Sequence, residues 1–188
     1  MSGHSDHGPD DHGSHGEHKE HKEHKGHKEH KEEKKEKSKN SKKPVLEEAE
    51  VIVLLLLAIM GRIALEPFAS VEPIIPIAVY AGLAYGSSAG ILIGLLAYPA
   101  SNFFLRGGPF GLWTILQGAA GATAGGLAGN NNKLTTENLL LYTFLGTLIF
   151  ELFLNIGSGG FLIWPYSITH IVTNLIFAVL ISAGIKQK

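Results

Sequence analysis

The chain has 188 residues, 45% of them hydrophobic and 18% charged, with 23 Gly, no Cys and a formal net charge of −1. The lack of cysteine excludes a disulfide scaffold and cysteine-based redox, zinc or nucleophile chemistry, and the small net charge excludes a nucleic-acid binder driven by net charge. These averages cover two unlike parts, since residues 1–43 hold 9 of the 10 His, 11 of the 16 Lys and Arg, and 10 of the 17 Asp and Glu.

Residues 1–43 contain no Ile, Leu, Val or aromatic residue. Such a segment buries too little apolar surface to offset its ordering entropy, so it is expected to be a disordered His/Lys/Glu-rich tail. It has no apolar stretch of the kind a secretory signal needs. A repeated His-Lys-Glu triplet places His18, His21, His24, His27 and His30 three residues apart. On a helix of 3.6 residues per turn that spacing spirals the imidazoles around the axis and makes no single face. Clustered imidazoles bind Ni, Cu or Zn. After removal of Met1, the terminus Ser2-Gly3-His4 offers an amine, two backbone nitrogens and an imidazole for a square-planar Cu(II) or Ni(II). The same imidazoles would gain charge together near pH ~6.5, which allows pH sensing. A plain solvated tail stands beside both uses.

From Pro44 the composition reverses, and residues 44–188 carry too few charges to coat a soluble domain. A bilayer core of ~30 Å needs about 20 apolar residues per helix. Six spans are expected: about Leu46 to Leu65, Pro73 to Tyr85, Ser88 to Phe104, Phe110 to Gly129, Thr136 to Ile156, and Ile163 to Ile185. The second and third are parted only by Tyr85-Gly86-Ser87-Ser88, so five spans with one broken segment is the alternative. Arg106-Gly107-Gly108-Pro109 reads as a turn. Asn130-Asn131-Asn132-Lys133 reads as a polar loop, with Thr135 as N-cap and Glu137 in the first turn of the next helix. Gly157-Ser158-Gly159-Gly160 separates the last two spans, and Pro165 suits a first helical turn. The expectation is an all-α six-helix membrane bundle with a disordered tail.

With six spans both termini share a side. That side carries Lys35, Lys37, Lys39, Lys42, Lys43, Lys133, Lys186 and Lys188, and the opposite side only Arg62 and Arg106. The positive-inside rule then makes both termini cytoplasmic, in a multi-pass protein of the cell membrane. Gly82, Gly86, Gly90 and Gly94 recur every four residues, as do Gly121, Gly125 and Gly129, which marks seams of close helix packing or a sliding face for a partner. Nothing reads as the strand, turn and helix of a dinucleotide-binding loop.

Polar side chains inside a membrane are costly and tend to mark function. Here they form i,i+4 pairs, each on one helix face: Arg62 with Glu66, Asn102 with Arg106, Trp113 with Gln117, Glu151 with Asn155, and His170 with Asn174. Under the expected topology all lie in the outer half of the bilayer, with His170 about 9 Å deeper than Trp164 at ~1.5 Å per residue. Together with Tyr166 they describe a pocket open to the outside. The plainer readings are belt positions for Trp113, Trp164 and Tyr166, and a structural Arg62–Glu66 ion pair at the membrane edge.

The stretch Arg62-Ile63-Ala64-Leu65-Glu66-Pro67, then Pro73-Ile74-Ile75-Pro76, the Gly82 to Gly94 series, Ser101-Asn102-Phe103, and Gly108-Pro109-Phe110-Gly111-Leu112-Trp113 leading to Gln117-Gly118 and Gly125-Gly126 resemble the substrate-binding S components of energy-coupling-factor (ECF) transporters. The resemblance covers roughly residues 46–185. It implies an integral membrane protein that takes a vitamin or micronutrient from outside and hydrolyses nothing itself. It further implies a transmembrane T subunit and two cytosolic ATPases as partners, with toppling in the membrane to deliver the ligand. By position it implies ligand contacts at Glu66, Asn102, Arg106, Trp113, Gln117, Glu151, Asn155, Tyr166, His170 and Asn174. The family's Ala-x-x-x-Ala docking motif is most nearly matched by Ala58, Gly61 and Ala64.

No cofactor is expected in the membrane part; Ni, Cu or Zn on the tail, through His4 and His18 to His30, is the only metal expectation. Both charge signs, amides and aromatics suit a flat polar heterocycle that stacks and hydrogen-bonds. Two other functions compete. A Ni or Co uptake component would use the His-rich tail, but needs it outside the cell. A non-transport assembly protein would use the Gly seams as a docking face. An intramembrane enzyme is disfavoured because no nucleophile or metal pair accompanies Glu151 and His170.

Overall fold

In the computed structural model, which describes residues 47–106, 111–131, 133–158 and 165–185, the polypeptide forms six helices and, among the described residues, no strand. They are α1 over 47–64, α2 Ile74–Tyr85, α3 Ser87–Phe104, α4 Leu112–Gly129, α5 Thr136–Ser158 and α6 Tyr166–Ser182. The expected segments match these helices to within a few residues. The tail and its histidines, His4 and His18 to His30 among them, lie outside the described residues, as do Gly107 to Phe110 and Trp164.

α2 is the centre of the bundle. Nine of its 12 residues are buried, and it packs on α3, α4, α5 and α6. A helix that is apolar on every side, as Ile74-Ile75-Pro76-Ile77-Ala78-Val79 makes this one, has no face to give to water. Pro76 is harmless because it falls in the first turn, where the N–H groups have no intrahelical acceptor.

The division between α2 and α3 is a single residue, Gly86, with φ 93° and ψ 170°. Residues with a Cβ avoid that region, so glycine is what permits the break. Among the described residues the helix count is therefore six, with a tighter junction than Tyr85-Gly86-Ser87-Ser88 suggests.

Among α2 to α6 the most extensive interface joins α3 and α4. A Cβ on Gly121 would lie 2.8 Å from the Gly94 carbonyl oxygen and 2.9 Å from the Tyr98 ring, and one on Gly125 would lie 2.7 Å from Gly90 Cα. Gly82 of α2 abuts Gly125 as well, so the series on either side of Gly86 converges on one stripe of α4 although it is not one straight face. Pro99 interrupts α3 and leaves the Leu95 carbonyl without its helical donor; Gly118 lets α4 close on that oxygen, 3.1 Å from where a Cβ would stand. α5 begins as expected: Thr135 Oγ1 accepts the Asn138 N–H at 3.2 Å, and Glu137 sits in the first turn.

Two helices, Ser87–Phe104 and Thr136–Ile156, are long and apolar enough to cross a membrane, which points to membrane association. The exterior is apolar along much of its length. Ile52, Val53, Leu56 and Leu57 on α1, Ile91, Leu92, Leu95 and Leu96 on α3, and Val172, Ile176, Val179 and Leu180 on α6 are all exposed.

Candidate functional site

The C-terminal end of α1 carries Arg62, and the segment after it, 65–73, folds back so that Glu72 is buried beside it. A buried carboxylate needs partners, and Glu72 has three. Arg62 Nε lies 2.9 Å from its Oε2, the Tyr98 hydroxyl donates to Oε1, and His170 Nε2 lies 3.2 Å from Oε1 without the alignment of a hydrogen bond. Burial pushes the Glu72 carboxyl upward, but His170, the Arg62 guanidinium and Tyr98 outweigh it and hold the group below the usual carboxylate range.

Arg62 is engaged elsewhere too. Nη1 donates to Ser101 Oγ at 2.7 Å and to Asn102 Oδ1 at 2.6 Å, and the guanidinium stands 5.0 Å from the centre of the Tyr98 ring. A guanidinium only donates, so Asn102 must turn its oxygen toward it. The Asn102 amide nitrogen then donates to Gln117 Oε1 at 2.8 Å and to Thr114 Oγ1 at 3.1 Å. That in turn leaves Gln117 Nε2 without a hydrogen-bond partner among the described residues, on a side chain that is only 5% exposed.

α5 and α6 supply the opposite wall. His170 Nδ1 lies 2.7 Å from Glu151 Oε1, while Glu151 Oε2 accepts from the Ser167 hydroxyl and, at 3.2 Å, from Asn155 Nδ2. Phe150 stacks on Tyr98 with centroids 5.1 Å apart and meets His170 edge-on at 4.8 Å. Both ring nitrogens of His170 thus face carboxylates. Arg62, Glu72, His170 and Glu151 form one chain of closely spaced ionisable groups across the bundle.

These groups border a pocket of about 330 Å³. Of the expected residues, Arg62, Glu66, Trp113, Gln117, Glu151, Asn155, Tyr166 and His170 line it, together with Phe68, Phe150 and Glu72. Three others stand apart from its surface. Asn102 sits behind it, ordering Arg62 and Gln117. Asn174 is fully buried and donates to Thr147 Oγ1 at 3.1 Å. Arg106 has an exposed side chain and contributes its backbone N–H to Glu66 Oε1 at 2.7 Å. Arg106 parts from Asn102 because α3 ends at Phe104 and Leu105 is extended, so i,i+4 spacing no longer puts both on one face. Glu66 likewise lies beyond the end of α1, and the ion-pair partner of Arg62 is Glu72.

The expected docking residues need correction. Ala58 is fully buried, and a Cβ on Gly61 would lie 2.7 Å from Pro73 Cγ, so both serve the chain's own interior; Ala64 alone is exposed. Sequence reasoning missed Glu72, Tyr98 and Ser167. The available signal for Glu72 was a lone carboxylate in Val71-Glu72-Pro73, directly before a segment with no other charge. Among the described residues no group of three or more His, Cys, Asp or Glu could hold a metal ion. No family model, no curated protein and no solved structure matches the chain.

Proposed function

We propose that the chain is a multi-pass protein of the cell membrane that captures a small vitamin-like micronutrient from outside, as the S component of an ECF-type uptake transporter. One observation carries this reading: charged, amide and aromatic side chains from α1, α4, α5 and α6 meet around one pocket, on a body whose outward side chains are largely apolar. A soluble protein rarely tolerates so much contiguous exposed apolar surface, whereas lipid covers it without cost. Within an otherwise apolar core, Asn102, Thr143, Thr147 and Asn174 are all buried.

In this reading the pocket binds and does not react. Glu151 and His170 hold each other, and no nucleophile or bound water need be activated. Transport energy comes from partner ATPases acting through a T subunit, with the His-rich tail and the C-terminus on the cytoplasmic side. The close α3–α4 packing through Gly94, Gly121 and Gly125 makes a rigid element that a partner can tilt as a unit.

The test is mass spectrometry of small molecules released on denaturing the detergent-purified full chain. A released molecule is expected from the wild type and is lost in Trp113→Ala and Gln117→Ala, whose side chains line the pocket. Release in equal amount from wild type and both variants would contradict the reading. Uptake of the identified molecule into cells expressing the chain with its partners then tests import itself.

A further inference from the structure

We propose that the captured molecule carries a cationic nitrogen on a compact aromatic frame. The inference rests on the pocket's being the capture site, and it adds the ligand's charge. Three carboxylates border the cavity, those of Glu66, Glu72 and Glu151, against one guanidinium, that of Arg62, and the His170 ring. Both basic groups are already committed. Arg62 is held by Glu72, Ser101 and Asn102 and lies over Tyr98, and His170 is bracketed by Glu72 and Glu151. An anionic ligand would therefore meet no uncommitted positive charge on the lining, and it would face an excess of negative charge at short range. Arg106, the other basic residue at this end, is exposed and does not border the cavity.

Two further features point the same way. Glu66 spends one carboxylate oxygen on the Arg106 N–H and keeps the other without a partner among the described residues, at the rim of the cavity. Phe68, Trp113, Phe150 and Tyr166 line the walls, and aromatic faces attract organic cations through the ring quadrupole. Gln117, whose Oε1 is taken by Asn102, keeps its amide nitrogen for the cavity that it lines, so an acceptor atom on the ligand, such as a ring nitrogen or a carbonyl, finds a donor there. At about 330 Å³ the cavity stands at the small end of ligand pockets, which span ~300–1,000 Å³, and suits one or two rings.

The experiment compares three near-isosteric probes on the full chain in detergent: benzamidine (cation), benzamide (neutral) and benzoate (anion). Binding is read by thermal stabilisation and by quenching of Trp113 fluorescence in a Trp164→Phe background. Benzamidine is expected to bind about tenfold more tightly than benzamide, and benzoate least. Glu66→Gln should narrow the benzamidine preference while the empty protein melts at the same temperature. Preference for benzoate overturns the charge assignment and leaves capture by this pocket standing. Equal affinities, or no binding by any probe at tens of millimolar, also overturn it. Import is decided separately, by the released molecule and its uptake.

Discussion

Glu72 ties three parts of the chain together through one carboxylate: Arg62 of α1, Tyr98 of α3 and His170 of α6. Glu72→Gln keeps the shape and removes the charge, which leaves the largely buried Arg62 guanidinium and His170 ring under-compensated. Breaking one side of a buried charge network costs about 3–5 kcal/mol, so the melting temperature of the purified variant should fall sharply. Glu66→Gln, exposed at the rim, should change stability by less than ~1 kcal/mol. The Glu72 charge also shows in the pH dependence of stability. The folded state holds the Glu72 carboxyl below its ordinary value, so its contribution is complete above the usual carboxylate range. It is lost as the pH falls through the lowered folded value. Melting curves recorded from neutral into acid should show that loss in the wild type and a shallower one in Glu72→Gln. Glu72 was hard to read from the sequence because it belongs to no periodic face. It lies in the segment 65–73 between two helices, and only the folding back of that segment buries it. Arg62, Glu151 and His170 were legible, because an ionisable residue inside an apolar helix stands out against its neighbours.

Gly86 and Gly125 separate two uses of glycine between helices α2, α3 and α4. At Gly86 nothing lies within 4 Å of where a Cβ would stand, but φ is 93°. Gly86→Ala therefore meets backbone strain alone, about 1–3 kcal/mol. Gly125 is helical, and a Cβ there would lie 2.7 Å from Gly90 Cα, so Gly125→Ala must push two backbones apart. The expected loss is about 1–3 kcal/mol, and Gly125→Leu should lose more and leave little folded protein. Thermal melts of the purified variants, with circular dichroism to follow helix content, check both values. The helix boundaries were legible because Gly, Pro and Asn clusters interrupt otherwise continuous apolar runs. Which partner each glycine faces was not. Gly82 and Gly90 converge on Gly125 only because the chain breaks at Gly86. The inward orientation of Ala58 and Gly61 was equally hidden, since a small residue suits a partner's helix and the chain's own Pro73 alike.

Across the bundle, polarity is arranged in two directions at once. Along it, charges and amides collect at the end formed by the C-terminal parts of α1, α3 and α5 and the N-terminal parts of α4 and α6. Across it, apolar side chains face outward as well as filling the core, while most of the polar side chains of the helices are enclosed. The alternation of chain direction through successive helices was enough to gather most of the pocket residues from the sequence. It was not enough to tell those that line the cavity from Asn102 and Asn174, which support it from behind, because both kinds share the same faces and depth. In the proposed function this polar end opens to the cell exterior, and the chain's lack of cysteine makes that orientation directly testable. Single substitutions Glu66→Cys, at the rim of the cavity, and Lys133→Cys, in the loop between α4 and α5, are expressed in intact cells and treated with a membrane-impermeant maleimide. The predicted result is labelling of the position-66 variant in intact cells and of the position-133 variant only after permeabilisation. The reverse pattern, or labelling of both before permeabilisation, would contradict an outward-facing pocket.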